Sequence, residues 1–294
     1  MFDQLCSPLQ KIHHPQLTNF YVKRDDLIDP YISGNKWRKL KYLLKRANDE
    51  GKTHLVTFGG AFSNHLVATA SAAARTGLKA TAFVRGEPVE NEMLLICKLY
   101  GMQLIFVDRD SYKNKQLLFT KHFSDDGQAF FIDEGGASQE AVRGCSEIVD
   151  ELPEDVDMLF CAAGTGSTAA GLMKGILDRK LHTVLHVVPV LKSGAFIKEN
   201  MAEYVAVDQQ LILHLDYHFG GYAKTQPLLM EFLHQFAAAN GILTDPGYTA
   251  KLFFAIEALA QKRLISKDAK IVALHTGGLL GLLGMQKQLG KILT

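Results

Sequence analysis

The residue with the clearest chemical potential is a lysine set among apolar residues at the start of a predicted helix. Lys36 lies in the segment Ser33-Gly34-Asn35-Lys36-Trp37-Arg38-Lys39-Leu40. On a helical wheel it shares one stripe with apolar residues, namely Leu40, Leu43, Leu44 and Ala47. Desolvation lowers the pKa of an ammonium group, and a neutral amine is what Schiff-base formation requires. The alternative is a lysine that extends from the helix end into water.

The same wheel places the other basic residues of this segment, from Arg38 to Arg46, away from the apolar stripe. Lys36 is therefore predicted to be the one basic residue on the buried face. Either Ser33 or Asn35 is expected to cap the helix, because a short polar side chain can accept hydrogen bonds from the first-turn N–H groups.

Glycine-rich turns follow three predicted strands, at Gly59-Gly60, Gly164-Thr165-Gly166 and Gly277-Gly278. In open parallel sheets, ligands bind at the carboxyl ends of the strands. The turn at Gly164 suits a phosphate best, since its backbone N–H groups converge at a helix start and Ser167 and Thr168 add hydroxyl groups. A tight connection without a ligand is the alternative.

Nucleotide-binding motifs do not explain the Gly164 turn. The segment matches G-x-G-x-x-G/A, but the next predicted strand, residues 182–190, offers no acidic residue to hold a ribose. The phosphate loop of nucleotide-dependent enzymes also fails, because Leu172 follows Gly171 where that motif requires a lysine.

A lysine, a phosphate-binding turn and polar side chains after the other glycine turns fit one cofactor. Pyridoxal 5′-phosphate carries an aldehyde and a phosphate and would use all of these groups. Each group also has a structural explanation. Ser63 and Asn64 could cap the next helix, and Thr276 could stabilise a turn.

The order of predicted elements indicates an α/β protein. Strands are predicted at residues 20–23, 54–58, 80–84, 103–107, 129–132, 158–163, 182–190, 211–215 and 271–275, with helices between most of them and a final helix after Gly278. This alternation predicts parallel sheets covered by helices on both faces, a three-layer α/β/α arrangement. Pro153 marks a plausible boundary.

Composition excludes several classes of partner. The chain has 294 residues and a formal net charge of +1, so no nucleic-acid or membrane partner is predicted. No leader segment and no apolar run of about 18 residues is found. Scattered cysteines, at Cys6, Cys97, Cys145 and Cys161, predict neither disulfides nor a zinc site, which favours the cytoplasm. His214 and His218 have no evident third ligand, so no metal is predicted.

Six segments of the sequence match the motifs of a known family. They are residues 23–27, 33–40, 59–65, 164–168, 244–248 and 275–278. Together they resemble the D-cysteine desulfhydrase / 1-aminocyclopropane-1-carboxylate deaminase family, which has the tryptophan synthase β-subunit-like fold (fold type II) of pyridoxal phosphate enzymes. The resemblance implies a small amino-acid substrate and a homodimer. We expect a small α/β domain at 51–154, inserted into a larger cofactor-binding domain made of 1–50 and 155–294.

The resemblance also implies roles at the cofactor. Lys36 would form the Schiff base and move the substrate α-proton. Asn64 would donate a hydrogen bond to the phenolic oxygen of the ring, and Thr276 would meet the pyridine nitrogen. The phosphate would be held by the residues of one turn, Gly164, Thr165, Gly166, Ser167 and Thr168.

On the substrate side, Ser63 would bind the carboxylate or act as a base or nucleophile. Tyr222 and Tyr248 match tyrosines that approach the substrate; packing of half-buried aromatic rings is the alternative explanation.

The chain departs from the family at several positions. Deaminases carry a glutamate directly after the tyrosine that matches Tyr248, and a leucine at the position of Thr276, whereas this chain has Thr249 and Thr276. Both positions resemble the desulfhydrases. Phe62 replaces a glutamine with a bulkier ring and is expected to alter the choice of substrate, and Ala223 replaces a glycine.

The resulting hypothesis is a pyridoxal-phosphate-dependent lyase that eliminates the β-substituent of a small amino acid. D-Cysteine is the leading substrate, giving pyruvate, ammonia and sulfide. Ring-opening deamination of 1-aminocyclopropane-1-carboxylate is the alternative within the family. A second alternative is a pyridoxal-phosphate-binding protein without turnover, which a Phe62 that fills the substrate side would favour.

Overall fold

The structure, a computed structural model, describes residues 5–207, 209–286 and 289–290. It contains a six-stranded sheet and a four-stranded sheet, both covered by helices. The strands are β1 Leu9–Lys11, β2 Asn19–Lys23, β3 His54–Gly60, β4 Lys79–Arg85, β5 Gln103–Val107, β6 Ala129–Ile132, β7 Met158–Ala163, β8 Val184–Pro189, β9 Leu211–Leu213 and β10 Lys270–Leu274. The helices are α1 Asn35–Asp49, α2 Asn64–Thr76, α3 Glu92–Leu99, α4 Lys115–Phe123, α5 Gln139–Asp150, α6 Ser167–Asp178, α7 Phe196–Ala202, α8 Pro227–Asn240 and α9 Thr249–Gln261.

The larger sheet has the strand order β1-β2-β10-β7-β8-β9. All of its pairs are parallel except the one between β1 and β2 at the edge. Buried side chains of α5, α6 and α7 pack on one face, and those of α9 pack on the other. The apolar runs of β7 and β8 follow from this double cover, because strands buried on both faces need no polar alternation.

The smaller sheet has the order β5-β4-β3-β6, and all of its strands are parallel. Helices α1, α2 and α3 cover one face, whereas α4 and a cluster of aromatic rings around Phe58 and Phe83 cover the other. The predicted three-layer α/β architecture with two parallel sheets is therefore confirmed. The predicted domain boundaries stay a prediction.

Every predicted strand is present, with β8 and β9 shorter than expected. Strand β1 was not predicted, because three residues at an edge carry too little alternation to be recognised. The predicted final helix begins instead as a 3₁₀ helix over Leu279–Met285, and part of its remaining length lies outside the described residues. None of the helices within the described residues has the length and apolar character needed to cross a membrane.

Helix α1 carries Lys36 and is anchored by a buried ion-pair network. Arg38 donates to both carboxylate oxygens of Asp25, at 3.1 and 2.9 Å, and also to Glu151. Lys23, at the end of β2, pairs with the same Glu151 at 2.6 Å. Removing one partner of such a network leaves an uncompensated buried charge, which is strongly destabilising. The network therefore holds α1 against the large sheet.

Candidate active site

A cavity of about 470 Å³ lies where the carboxyl ends of strands from both sheets meet. That volume lies within the range of about 300–1,000 Å³ typical of small-molecule sites. Most predicted site residues line it, namely Lys36, Ser63, Asn64, Gly164, Thr165, Gly166, Thr168, Tyr222, Tyr248 and Thr276. Ser167 lies behind the wall and is buried. The structure thus brings together residues that are up to 240 positions apart (Lys36 to Thr276).

Lys36 is half-buried in the cavity wall, and none of the described residues forms a hydrogen bond or ion pair with its amine. Burial lowers the pKa of Lys36 well below its ordinary value, and the nearby charge of Lys39 acts in the same direction. Both effects favour the neutral, nucleophilic form of the amine.

The prediction that Lys36 alone among the basic residues lies on the buried face of α1 is wrong. Lys39 is also buried, and its Nζ donates to Ser167 Oγ at 2.8 Å and to the Gly135 carbonyl oxygen at 3.1 Å. Residues three apart on a helix are neighbours on its surface, so the sequence carried this signal. Burial lowers the pKa of Lys39 too, and its amine lies directly behind the predicted phosphate turn.

The start of α1 is shaped by Gly34 rather than by a polar cap. Neither Ser33 nor Asn35 makes a side-chain capping bond, so the capping prediction is wrong. Gly34 has φ of 61°, and a Cβ atom built on it would lie 1.9 Å from the carbonyl oxygen of Thr276. Asn35 instead donates its amide to Thr168 Oγ1 at 2.9 Å. The first turn of α1, which carries Lys36, therefore contacts both Thr276 and the start of α6.

The turn before α6 has the backbone geometry that the predicted anion cradle requires. Helix α6 has Gly166 at its N-cap, no side-chain cap and no acidic residue in its first turn. Its first backbone N–H groups therefore remain available to a ligand, and the helix dipole favours an anion there. Asn200 of α7 supports the turn by donating to the Thr165 carbonyl oxygen at 3.0 Å.

His65 is buried beside the cavity with one ring nitrogen left without a partner. Thr57 Oγ1 donates its proton to the Ile132 carbonyl oxygen at 3.0 Å, so at 2.8 Å it accepts from His65 Nε2–H. Nδ1 is then an acceptor, and it is buried without a hydrogen-bond partner in the described structure. Burial and then the charges of Lys36 and Lys39 lower the pKa of His65 well below its ordinary value.

Ser63 and Asn64 follow β3 and begin α2. Ser63 occupies the N-cap position but its hydroxyl makes no capping hydrogen bond, so the capping explanation for this pair is not supported. Asn64 Nδ2 lies 2.9 Å from the point that a Cβ of Gly278 would occupy, which brings the turn after β3 against the turn after β10. Both polar side chains are thus presented to the cavity.

Tyr222 and Tyr248 form an aromatic pair, with ring centroids 5.4 Å apart, on the large-sheet side of the cavity. The Tyr248 hydroxyl lies 2.9 Å from the position that a Cβ would occupy on Gly164, so only glycine allows this approach to the anion cradle. Burial raises the pKa of Tyr222 to about 12 and raises that of Tyr248 further. Both phenols are therefore protonated and can donate hydrogen bonds at physiological pH.

Thr249, the residue after Tyr248, has a structural role. Its hydroxyl donates to Asp245 Oδ1 at 2.8 Å and accepts from the Asp245 backbone N–H at 2.8 Å. The second carboxylate oxygen of Asp245 accepts from the Tyr248 backbone N–H at 2.8 Å. This closed set of bonds fixes Tyr248 at the entrance to α9.

Lys251, which was not predicted, holds the segment that carries Tyr222. It is fully buried, and its Nζ donates to the carbonyl oxygens of His218 and Gly221 at 2.9 and 2.7 Å. The segment includes Phe219 and Ala223 at φ of 53° and 54°, a conformation that non-glycine residues rarely adopt. Burial lowers the pKa of Lys251 to about 8, with Asp245 acting in the opposite direction.

Replacing Lys251 by methionine is expected to loosen the Tyr222 segment. Two buried carbonyl groups lose their donor, so the free energy of unfolding should fall by about 1–3 kcal/mol. Turnover should fall by about tenfold, because a displaced Tyr222 no longer meets the substrate. Urea unfolding and steady-state kinetics measure the two effects, with the exposed Lys267→Met as control. Unchanged stability and unchanged turnover in Lys251→Met would contradict this role.

The residues present fit pyridoxal phosphate. The lowered pKa of the Lys36 amine suits the aldehyde, and the cradle before α6, with the Lys39 amine behind it, suits the phosphate. Among the described residues, no cluster of potential ligands for a metal ion is found.

Comparisons with known proteins point to the same chemistry. Residues 4–277 match the family described as "Pyridoxal-phosphate dependent enzyme". A Thermotoga maritima protein provisionally named 1-aminocyclopropane-1-carboxylate deaminase is 34% identical over 291 residues, covering 92% of each chain. D-Cysteine desulfhydrase of Salmonella typhi is 31% identical over 302 residues, covering 92% of this chain and 91% of its own.

A solved structure described as a homologue of the first of these enzymes supports the fold. It superposes with a TM-score of 0.85 at 28% identity, covering 97% of this chain and 93% of that chain. The predicted family, the fold and the pyridoxal phosphate cofactor are therefore confirmed. The chain belongs to the pyridoxal-phosphate-dependent enzymes, in the group that contains 1-aminocyclopropane-1-carboxylate deaminase and D-cysteine desulfhydrase.

Proposed function

We propose that this enzyme eliminates the β-substituent of a small amino acid, with D-cysteine as the leading substrate and pyruvate, ammonia and sulfide as products. The choice of β-elimination over ring-opening deamination is based on the surroundings of Tyr248. The residue after it, Thr249, is committed to Asp245 through two hydrogen bonds of its hydroxyl. A desulfhydrase-like residue thus stands where the deaminase pattern has a glutamate.

Bound pyridoxal phosphate supplies an aldehyde that links to the substrate amine and a ring that withdraws electrons from its α-carbon. Lys36 would hold the cofactor aldehyde, and its amine, whose pKa burial lowers, would take the substrate α-proton. Ser63 would bind the substrate carboxylate, and Asn64 would donate a hydrogen bond to the phenolic oxygen of the cofactor ring. Tyr222 and Tyr248 orient the departing group, since both phenols keep their protons.

Phe62 argues against a protein that binds the cofactor without turnover. Its ring lines the cavity, but 48% of its surface is exposed, and it packs against Gly284 of the C-terminal 3₁₀ helix. A ring seated at the rim leaves the interior open for a substrate. We further propose a cytoplasmic homodimer; the resemblance supports the dimer, and four free cysteines are consistent with a reducing compartment.

The products distinguish the candidate activities. The purified holoenzyme is incubated with D-cysteine, L-cysteine, other D- and L-amino acids and 1-aminocyclopropane-1-carboxylate, and the keto acid is identified by chromatography. Pyruvate with equimolar sulfide from D-cysteine is expected. Release of 2-oxobutanoate from the cyclopropane substrate would favour the deaminase instead. A holoenzyme that releases no keto acid from any substrate would leave only a cofactor-binding role.

A further inference from the structure

The strand ends of the smaller sheet bring charged residues to the cavity that the proposed reaction does not use. Strand β4 ends at Arg85, β5 is followed closely by Arg109, and β6 is followed by Glu134. All three residues line the cavity. Because parallel strands end at the same edge of a sheet, these residues face the large-sheet wall together.

Arg85 is held with its guanidinium toward the cavity. The group lies 5.4 Å from the centre of the Tyr112 ring, a cation–π distance. Its nearest carboxylate is Glu134 at 3.9 Å, which is beyond hydrogen-bond distance, and Glu134 is also 3.7 Å from Lys115. The charge of Arg85 is therefore only partly compensated.

Arg85 shares the cavity with Tyr222. The pKa of Tyr222 is raised chiefly by burial and then by Asp245 and Glu134, while Arg85 acts in the opposite direction. Both side chains line the cavity, so a substrate bound there would meet the guanidinium as well as the phenol.

Arg109 adds a second guanidinium at the rim. It is exposed, and none of the described residues forms a hydrogen bond or ion pair with it. Its acidic neighbours are engaged elsewhere. Asp110 pairs with Lys113 at 2.8 Å, and Asp108 accepts from the Ser111 hydroxyl at 2.6 Å.

The charges of the cavity exceed what the cofactor and a simple amino acid require. The lining carries four basic residues, Lys36, Lys39, Arg85 and Arg109, against one acidic residue, Glu134. Lys39 lies at the phosphate cradle, and Lys36 reacts as a neutral amine. Two guanidinium groups thus remain for one carboxylate, and guanidinium groups match phosphate and carboxylate in bidentate geometry.

We propose that Arg85 and Arg109 form an anion subsite, so that the site takes small amino acids with a negatively charged β-substituent in addition to D-cysteine. This inference rests on the proposed elimination. With O-phosphoserine as the probe, Lys36 takes the α-proton, the Cα–H electron pair forms the Cα=Cβ bond, and the Cβ–O pair leaves with phosphate. Addition of one water then gives pyruvate and ammonia, and no oxidant or reductant is needed.

The test compares O-phosphoserine with the uncharged β-chloroalanine, each as both enantiomers. The wild-type holoenzyme and the variants Arg85→Gln, Arg109→Gln and the double variant are measured for kcat/KM. The spectral change of the bound cofactor on titration with O-phosphoserine gives affinity independently of turnover. Arg143→Gln is the matched control, since Arg143 is exposed and stacks 4.2 Å from the Tyr42 ring but does not line the cavity.

Each arginine variant should lower kcat/KM for O-phosphoserine by about tenfold, the factor that corresponds to about 1.4 kcal/mol. The loss for β-chloroalanine should be much smaller, and the wild-type preference for the anionic substrate should weaken as salt is added. Arg143→Gln should behave as wild type.

Equal losses for the two substrates would overturn the subsite, because the arginines would then bind a group common to both. Weaker pyridoxal phosphate binding in the variants would overturn it as well, since the arginines would then serve the cofactor phosphate. If the wild type eliminates β-chloroalanine but neither binds nor cleaves O-phosphoserine, the subsite fails while the lyase proposal stands. If it acts on neither compound and shows no spectral change, the subsite fails, and the D-cysteine assay described above decides the lyase proposal separately.

Discussion

Replacing Lys36 by alanine is expected to abolish the visible absorption band of the lysine-bound cofactor and to lower turnover by about a thousandfold or more. The amine is the one group of the cavity that combines a strongly lowered pKa with the absence of any partner in the described structure. A positioned general base alone contributes about 10²–10⁴-fold, and Lys36 is also the proposed covalent anchor. Absorbance of the protein with added pyridoxal phosphate and steady-state keto-acid release measure the two losses.

Lys45→Ala is the matched control, because Lys45 lies on the same helix but is exposed and pairs only with Asp49, at 2.7 Å. It should keep both the absorption band and the turnover. An unchanged band in Lys36→Ala would show that another amine anchors the cofactor. The buried Lys39 would then be the next candidate.

Gly34→Ala is expected to lower the free energy of unfolding by about 3 kcal/mol and to weaken cofactor binding. The new Cβ would lie 1.9 Å from the Thr276 carbonyl oxygen and 2.7 Å from the Gly277 amide nitrogen. It would also force alanine into a φ of 61°, a strain of about 1–3 kcal/mol. The backbone must therefore separate where the Lys36 turn meets the turn after β10.

Gly51→Ala separates the cost of backbone strain from the cost of the close contact. Gly51 has a similar φ of 65°, but nothing lies within 4 Å of its added Cβ. Urea unfolding of both variants, together with titration by pyridoxal phosphate, measures how much the close contact at Gly34 adds to the loss of stability and of cofactor binding. Gly51→Ala should lose only about 1 kcal/mol and bind cofactor normally. Equal losses in the two variants would show that the close approach of Gly34 to Thr276 carries no energetic weight.

Those parts of the site that are encoded in contiguous residues could be predicted from the sequence. Lys36 with its neighbours, the Ser63-Asn64 pair and the turn from Gly164 to Thr168 are short segments in which residue type and spacing carry the chemistry. The parallel sheets were predictable for the same reason, since runs such as 158–163 are apolar throughout and end in glycine.

The cavity residues that were not predicted from the sequence are brought to the site by tertiary packing. Lys251 looks like an ordinary helical lysine until the His218–Gly221 carbonyl groups close over it. Arg85 and Arg109 are single charges at strand ends, and only the alignment of β4 with β5 brings them to one rim. Local sequence does not encode which distant element covers a helix face; Lys39 is different, because its spacing of three from Lys36 already placed it beside the buried face.

The position of β10 between β2 and β7 sets the order in which a newly made chain can complete its active site. Strand β10 pairs with β2, whose residues lie about 250 positions earlier in the sequence. The smaller sheet uses only strands between His54 and Ile132 and needs no later segment for its pairing. Until β10 is released from the ribosome, β2 has only the short β1 beside it. Lys36 and Thr276 can meet only after the whole intervening chain has been synthesised.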